Sequence, residues 1–219
     1  MQKTPPLLLS ATHQRLVELN NADTALPMQA GPKWACLLLP DTGKTLPTAQ
    51  LHAAQALLTL LKPLNITLGQ PSLQKDGQLA CTAQDENGRS RAYALLQADG
   101  MLEIVAALPT GSWPPEERVW WPGSYEQALL TQLQTVYLPL ARALYQTGAS
   151  YLCMGLIGIG GTALIANERP HPLPSGIDLL QLPPVRLDMP ARQIEQKLIQ
   201  AFDQVRASAC VASPHAFYL

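Results

Sequence analysis

The stretch YLCMGLIGIGGTALIA, Tyr151 to Ala166, is almost wholly apolar yet carries Gly155, Gly158, Gly160 and Gly161. It can be a phosphate-cradling loop, a membrane insert, or two strands joined by a turn, and each choice implies a different protein. The relaxed dinucleotide spacing is met by Gly158-x-Gly160-x-x-Ala163, with Asp178 twenty residues after Gly158. That fingerprint must open a helix, however, and NERPHPLP breaks any helix within about eight residues of the glycines, with no second strand to complete a βαβ unit. A membrane span needs about 18 or more apolar residues. Extended back to Ala149, the run to Ala166 just reaches that length, but it then includes Ser150, Thr162 and four glycines, and Arg169 is its only basic flank. The remaining reading is a hairpin, SYLCMGLIG and GTALIANE, with GIGG at the turn, where glycine supplies positive φ. Both strands are apolar at consecutive positions, as expected of strands buried on two faces.

Composition agrees with a globular chain. Of 219 residues, 47% are hydrophobic and 14% charged, with a net charge of −1 and a mean hydropathy of +0.03. The 15 basic and 16 acidic residues are scattered, so no footprint for nucleic acid or an anionic membrane is visible. The first residues, MQKTPPLLLSATHQRL, lack the long apolar region of a secretory signal, and a cytoplasmic location is expected. Cys36, Cys81, Cys153 and Cys210 show no C-x-x-C spacing, and His13, His52, His171 and His215 show no i, i+4 pair. No metal site and no cofactor are therefore expected, and the cysteines read as buried thiols. DTGK, Asp41 to Lys44, lacks the first glycine of a P-loop and reads as a turn.

Outward from the glycine run, residues 1–47 are proline-punctuated, with one amphipathic piece, ATHQRLVELNN, and one apolar run, KWACLLLP. They read as an arm laid on a domain comprising residues 48–219. TAQLHAAQALLTLLKPL reads as a helix with Leu51, Ala54, Leu57, Leu58 and Leu61 on one side, ended by Pro63. From Gly77 to Pro109, the turns Asn87-Gly88 and Asp99-Gly100 divide the chain into a three-stranded meander, one face covered and one wet. TGSWPPEERVWWPGS reads as a loop whose Trp113, Trp120 and Trp121 either form a contact surface or fold back over a sheet edge. Ser124 is expected to cap a long helix with a stripe of Leu133, Val136, Tyr137 and Leu140, kinked at Pro139. After the glycine run, NERPHPLPSGIDLLQLPP is a proline-rich loop. ARQIEQKLIQAFDQVRAS closes the chain as a helix with Ile194, Leu198, Ala201, Phe202 and Val205 inward.

The order from Thr48 to Ala207 is then α-β-β-β-α-β-β-α, an α+β fold with an antiparallel sheet and helices packed on one side, plus the N-terminal arm. In that order of elements, in the meander LACTAQDENGRSRAYALLQADGMLEIVAALP, in LARALYQTGASYLCMGLIGIGGTALIANERP and in MPARQIEQKLIQAFDQVRAS, the chain resembles the small homodimeric chaperones of type III secretion. The resemblance implies a non-enzymatic, cytoplasmic homodimer that keeps the N-terminal segment of a secreted effector soluble by β-augmentation and apolar pockets. It further implies that Leu57, Leu58, Leu61, Leu156, Ile157 and Leu164 help form the client surface and that Leu133, Val136, Tyr137 and Leu140 form the two-fold contact. Ordinary core is the alternative for each of these positions. Two other classes stay open: a structural or adaptor subunit of a larger assembly, and an enzyme with a site near His171.

Overall fold

The computed structural model describes residues 6–41, 46–73, 79–114, 116–146 and 148–211. The turn expected at DTGK falls largely outside the described residues, as does His215. The fold class is α+β. Among the described residues the main sheet has eight strands. β1 (Lys33–Pro40) lies between β5 (Leu102–Ala107) and β8 (Ser150–Ile157), and the order continues from β5 through β4 (Ser90–Leu96) and β3 (Leu79–Gln84) to β2 (Ser72–Leu73). On the far side of β8 pair β11 (Leu179–Gln181) and β12 (Val185–Arg186), and every one of these pairings is antiparallel.

The meander forms as expected, with Gly88 and Gly100 at positive φ in its turns. Two expectations about its surroundings need correction. KWACLLLP, assigned to an arm, is β1 at the centre of the sheet, which follows from its continuous apolar run: a central strand buried on both faces has no polar face to alternate with. The second face of the sheet is not wet. Helix α1 (Pro6–Asn20) packs Leu16 and Leu19 onto Ala35, Tyr93, Val105 and Ile157 there.

The other face carries the larger core. Trp34, Cys36 and Leu38 of β1, Leu102 and Ile104 of β5, and Leu152, Met154 and Leu156 of β8 meet helices from Thr48 onward. These helices, as expected, share one side. They are α2 (Thr48–Leu58), α3 (Gly123–Gln132), α4 (Leu138–Leu144) and α5 (Ala191–Ser208). Helix α3 begins at Gly123 after Pro122, and Ser124 Oγ donates to the Trp121 carbonyl instead of capping the helix. Between α3 and α4 one π turn spans Leu133–Tyr137, with the Leu138 amide bonded five residues back to Leu133. Pro139 has no amide to offer the Thr135 carbonyl, so the irregularity expected at the proline appears as this widened turn just upstream. A buried ion pair between Arg206 of α5 and Glu126 of α3 ties these two helices together.

The largest correction concerns the opening run. β8 and β9 (Ala163–Ala166) do not pair with each other. β9 belongs to a second sheet of four strands, ordered β10 (Arg169–Pro172), β9, β7 (Glu116–Trp120) and β6 (Thr110–Trp113), with β7 and β9 parallel. The glycines therefore cross from one sheet to another. Both strands are fully buried, as their composition requires. TGSWPPEERVWW is consequently a hairpin, and the proline-rich segment after β9 contributes the short strands β10, β11 and β12. The inner face of the small sheet, with Trp120, Leu164 and Ala166, joins the larger core.

Candidate functional site

The glycine crossover is held by side chains distant in sequence. The Gly158 amide donates to Asn20 Oδ1 at 2.8 Å, the Gly160 amide to Asp178 Oδ1 at 2.9 Å, and Asn20 Nδ2 to Asp178 Oδ2 at 2.8 Å. Gly158 and Gly161 adopt φ of 64° and 66°, values that L side chains rarely tolerate. The two loop amides that a phosphate would need are thus already engaged, and Asp178, placed where a ribose-binding acid would stand, serves as an acceptor within the loop.

The residues expected to bind a client are core residues of this chain. Leu58, Leu61, Leu156 and Leu164 are fully buried in the larger core, against which Leu57 packs half-buried, and Ile157 is fully buried on the opposite face beneath α1. Leu133, Val136, Tyr137 and Leu140, expected at a two-fold contact, are likewise enclosed beneath the chain's own helices and sheet. An apolar stripe on a helix marks whichever face is covered, and here one chain suffices to cover it. The His171 Nε2 lies 3.2 Å from the Ala166 carbonyl oxygen, a contact within the β9–β10 pair. Of the cysteines, Cys36 and Cys153 are buried with thiol pKa values pushed up by burial, whereas Cys210 is exposed. No cluster of three metal-ligating side chains occurs among the described residues.

What the surface offers instead is the β6–β7 hairpin. Trp120 turns inward and donates from Nε1 to Thr162 Oγ1 at 2.8 Å. Trp113 and Trp121 stay 40% and 41% exposed. The Trp121 ring lies across Gly111, where an added Cβ would meet it at 3.1 Å, so this indole is seated on bare backbone. Of the three tryptophans, Trp120 is thus part of the core, whereas Trp113 and Trp121 remain partly exposed. Among the described residues β6 pairs with β7 alone; it is flanked by Pro109 and Pro114 and bulged between Gly111 and Trp113.

A cleft of about 270 Å³ opens on another part of the surface, where the end of α1, the segment leading into β1, the β3–β4 turn and the start of the glycine crossover converge. Its charged lining residues are Lys33 and Arg89, and its walls are apolar at Leu19, Pro27, Met28 and Ile157.

No family model matches the chain, and comparisons with curated proteins and with solved structures give no match.

No helix among the described residues is long and apolar enough to cross a membrane. One charged cluster escaped the reading of the sequence. Glu103 of β5, fully buried, accepts from Arg15 Nε at 2.6 Å, Arg15 Nη2 at 3.1 Å and Tyr93 Oη at 2.6 Å. Carboxylate and guanidinium together hold α1 to the sheet. The hydrogen bond to the Glu103 carboxylate raises the Arg15 pKa, and burial next to Glu103 raises that of Tyr93. The available signal was an acidic residue inside LEIVAA; a face expected to be wet made it look unremarkable.

Proposed function

We propose that the chain is a non-catalytic protein-binding module, of chaperone or adaptor type, which holds a short extended segment of a partner polypeptide against the β6–β7 hairpin. The observation that carries this reading is the exposure of Trp113 and Trp121 on one hairpin whose outer strand has a free edge among the described residues. Tryptophan is the residue most enriched among binding hot spots, since it buries a large apolar area with few rotamers to fix. The free edge of β6 offers backbone groups to an added strand, and the flanking prolines limit that strand to a few residues.

In its chaperone form the reading keeps what the resemblance implies, a soluble carrier for the N-terminal segment of a secreted client. It moves the client surface from the buried leucines to the tryptophan hairpin, and the enclosed long helix no longer serves as a two-fold contact. In its adaptor form the same surface would stay occupied within a larger assembly.

The test is co-expression with the product of the neighbouring gene, followed by the mass of the complex in solution and its affinity. The Trp113→Ala/Trp121→Ala variant is expected to keep its fold and to lose about 2 kcal/mol or more of binding, roughly thirtyfold in affinity. A complex equally tight with the double variant, or a strict monomer that solubilises no neighbour, rejects the reading.

A further inference from the structure

The cleft at the end of α1 carries two cations without ion pairs. Among the described residues, neither Lys33 nor Arg89 has an ion pair within 4.0 Å. Each has a carboxylate in its neighbourhood that keeps its charge but is hydrogen-bonded by neutral amides instead of pairing with the cationic head. Asp178, whose field acts on Lys33, accepts from Gly160 and Asn20. Asp85, close to Arg89, accepts from the Asn87 and Arg89 amides on Oδ1 and from Gln29 Nε2 on Oδ2, each at 2.9 Å.

Among the described residues Lys33 Nζ donates once, to the Gly31 carbonyl at 2.8 Å, which leaves two N–H groups of a half-buried ammonium. Burial pushes its pKa down by more than the field of Asp178 raises it. The end of α1 would ordinarily oppose an anion with its carbonyls. Here the Asn21, Ala22 and Asp23 amides close on the Val17, Leu19 and Glu18 carbonyls, with Ala22 at φ 65°, and blunt that field.

We propose that this cleft is a binding site for a small amphipathic anion, a carboxylate or phosphate head between Lys33 and Arg89 with a short apolar body against Leu19, Pro27, Met28 and Ile157. Its volume lies just below the roughly 300–1,000 Å³ typical of drug-sized pockets, which selects a short body. Because Ile157 and Gly158 line the cleft and Asn20 binds the Gly158 amide, an occupant would also stiffen the glycine crossover. The site is separate from the tryptophan hairpin, so either proposal can fail alone.

The experiment titrates the full chain with hexanoate, butyl phosphate, inorganic phosphate and hexylamine, following the Met28 methyl and Gly158 amide signals by NMR. Saturable shifts are expected from hexanoate or butyl phosphate, whichever head fits, with inorganic phosphate at least tenfold weaker and hexylamine inactive. Lys33→Gln and Arg89→Ala should each weaken the better probe at least tenfold. Arg89 is exposed in a turn, so its variant retains the fold even where Lys33→Gln does not. No saturable shift from either amphipathic anion up to about 10 mM, equal binding by hexylamine or inorganic phosphate, or undiminished affinity in folded Arg89→Ala would overturn the proposal.

Discussion

Gly155 of β8 lies so close beneath Leu16 of α1 that a Cβ built on it would stand 3.0 Å from both leucine Cδ atoms. The helix therefore rests on backbone at this point, closer than any side chain would allow. Gly155→Val should overpack the contact and lower unfolding free energy by about 1–3 kcal/mol. Adding Leu16→Ala to that variant should return part of the loss, and urea unfolding of the two single variants and the double variant reads the coupling.

Arg15→Met removes the guanidinium from Glu103 and leaves a buried carboxylate with only the Tyr93 hydroxyl. Breaking a buried pair from one side costs about 3–5 kcal/mol, and the partial exposure of Arg15 places the expected loss at the lower end. Arg15→Met/Glu103→Gln should be more stable than Arg15→Met alone. Limited proteolysis within α1 provides an independent readout, since α1 is the element that this pair anchors.

Alkaline pH should act on the buried thiols. Burial raises the Cys153 pKa from 9.0 to about 11, so above pH 9 the unfolded chain releases a proton that the native chain retains. Stability from this group is complete below pH 9 and is lost as pH rises through about 11, at most about 2–3 kcal/mol for a shift of this size. Urea midpoints across that range should fall less steeply for Cys153→Ala than for the parent chain.

Thr162→Val strands the buried Trp120 Nε1–H and also removes the Thr162 hydroxyl from the Ile159 carbonyl, 2.7 Å away in the glycine crossover. A loss of about 1–3 kcal/mol is expected. Hydrogen exchange at Gly160 and its neighbours should accelerate along with it, whereas exchange in the β3–β4–β5 meander should not.

The elements legible in the sequence are those with local signals. The meander announces itself through Asn87-Gly88 and Asp99-Gly100, and α5 through the spacing of Ile194, Leu198, Phe202 and Val205. What escaped is pairing between distant segments. SYLCMGLI and ALIA are both buried strands joined by glycines, and nothing local distinguishes a hairpin from a step between two sheets. That difference rests on Asn20 and Asp178, 158 residues apart. KWACLLLP looked like part of an arm because prolines surround it, although its own unbroken hydrophobicity is the mark of a central strand. The candidate site was the least legible part. The leucines proposed for recognition are strongly apolar and hence enclosed, whereas the surface that remains is made by tryptophans and cations at strand ends and in turns.

The position of β1 also has a kinetic consequence. Its neighbours in the sheet are β5, about sixty residues further along the chain, and β8, well over a hundred away. During synthesis at about 5–20 residues per second, β1 leaves the ribosome seconds before either partner exists. Its six consecutive buried residues, Trp34 to Leu39, lack both flanking strands throughout that interval, with α1 made before it and α2 soon after it. The slow step of folding should be insertion of this strand between two late-arriving ones, an arrangement of high contact order that favours aggregation when synthesis outpaces closure of the sheet.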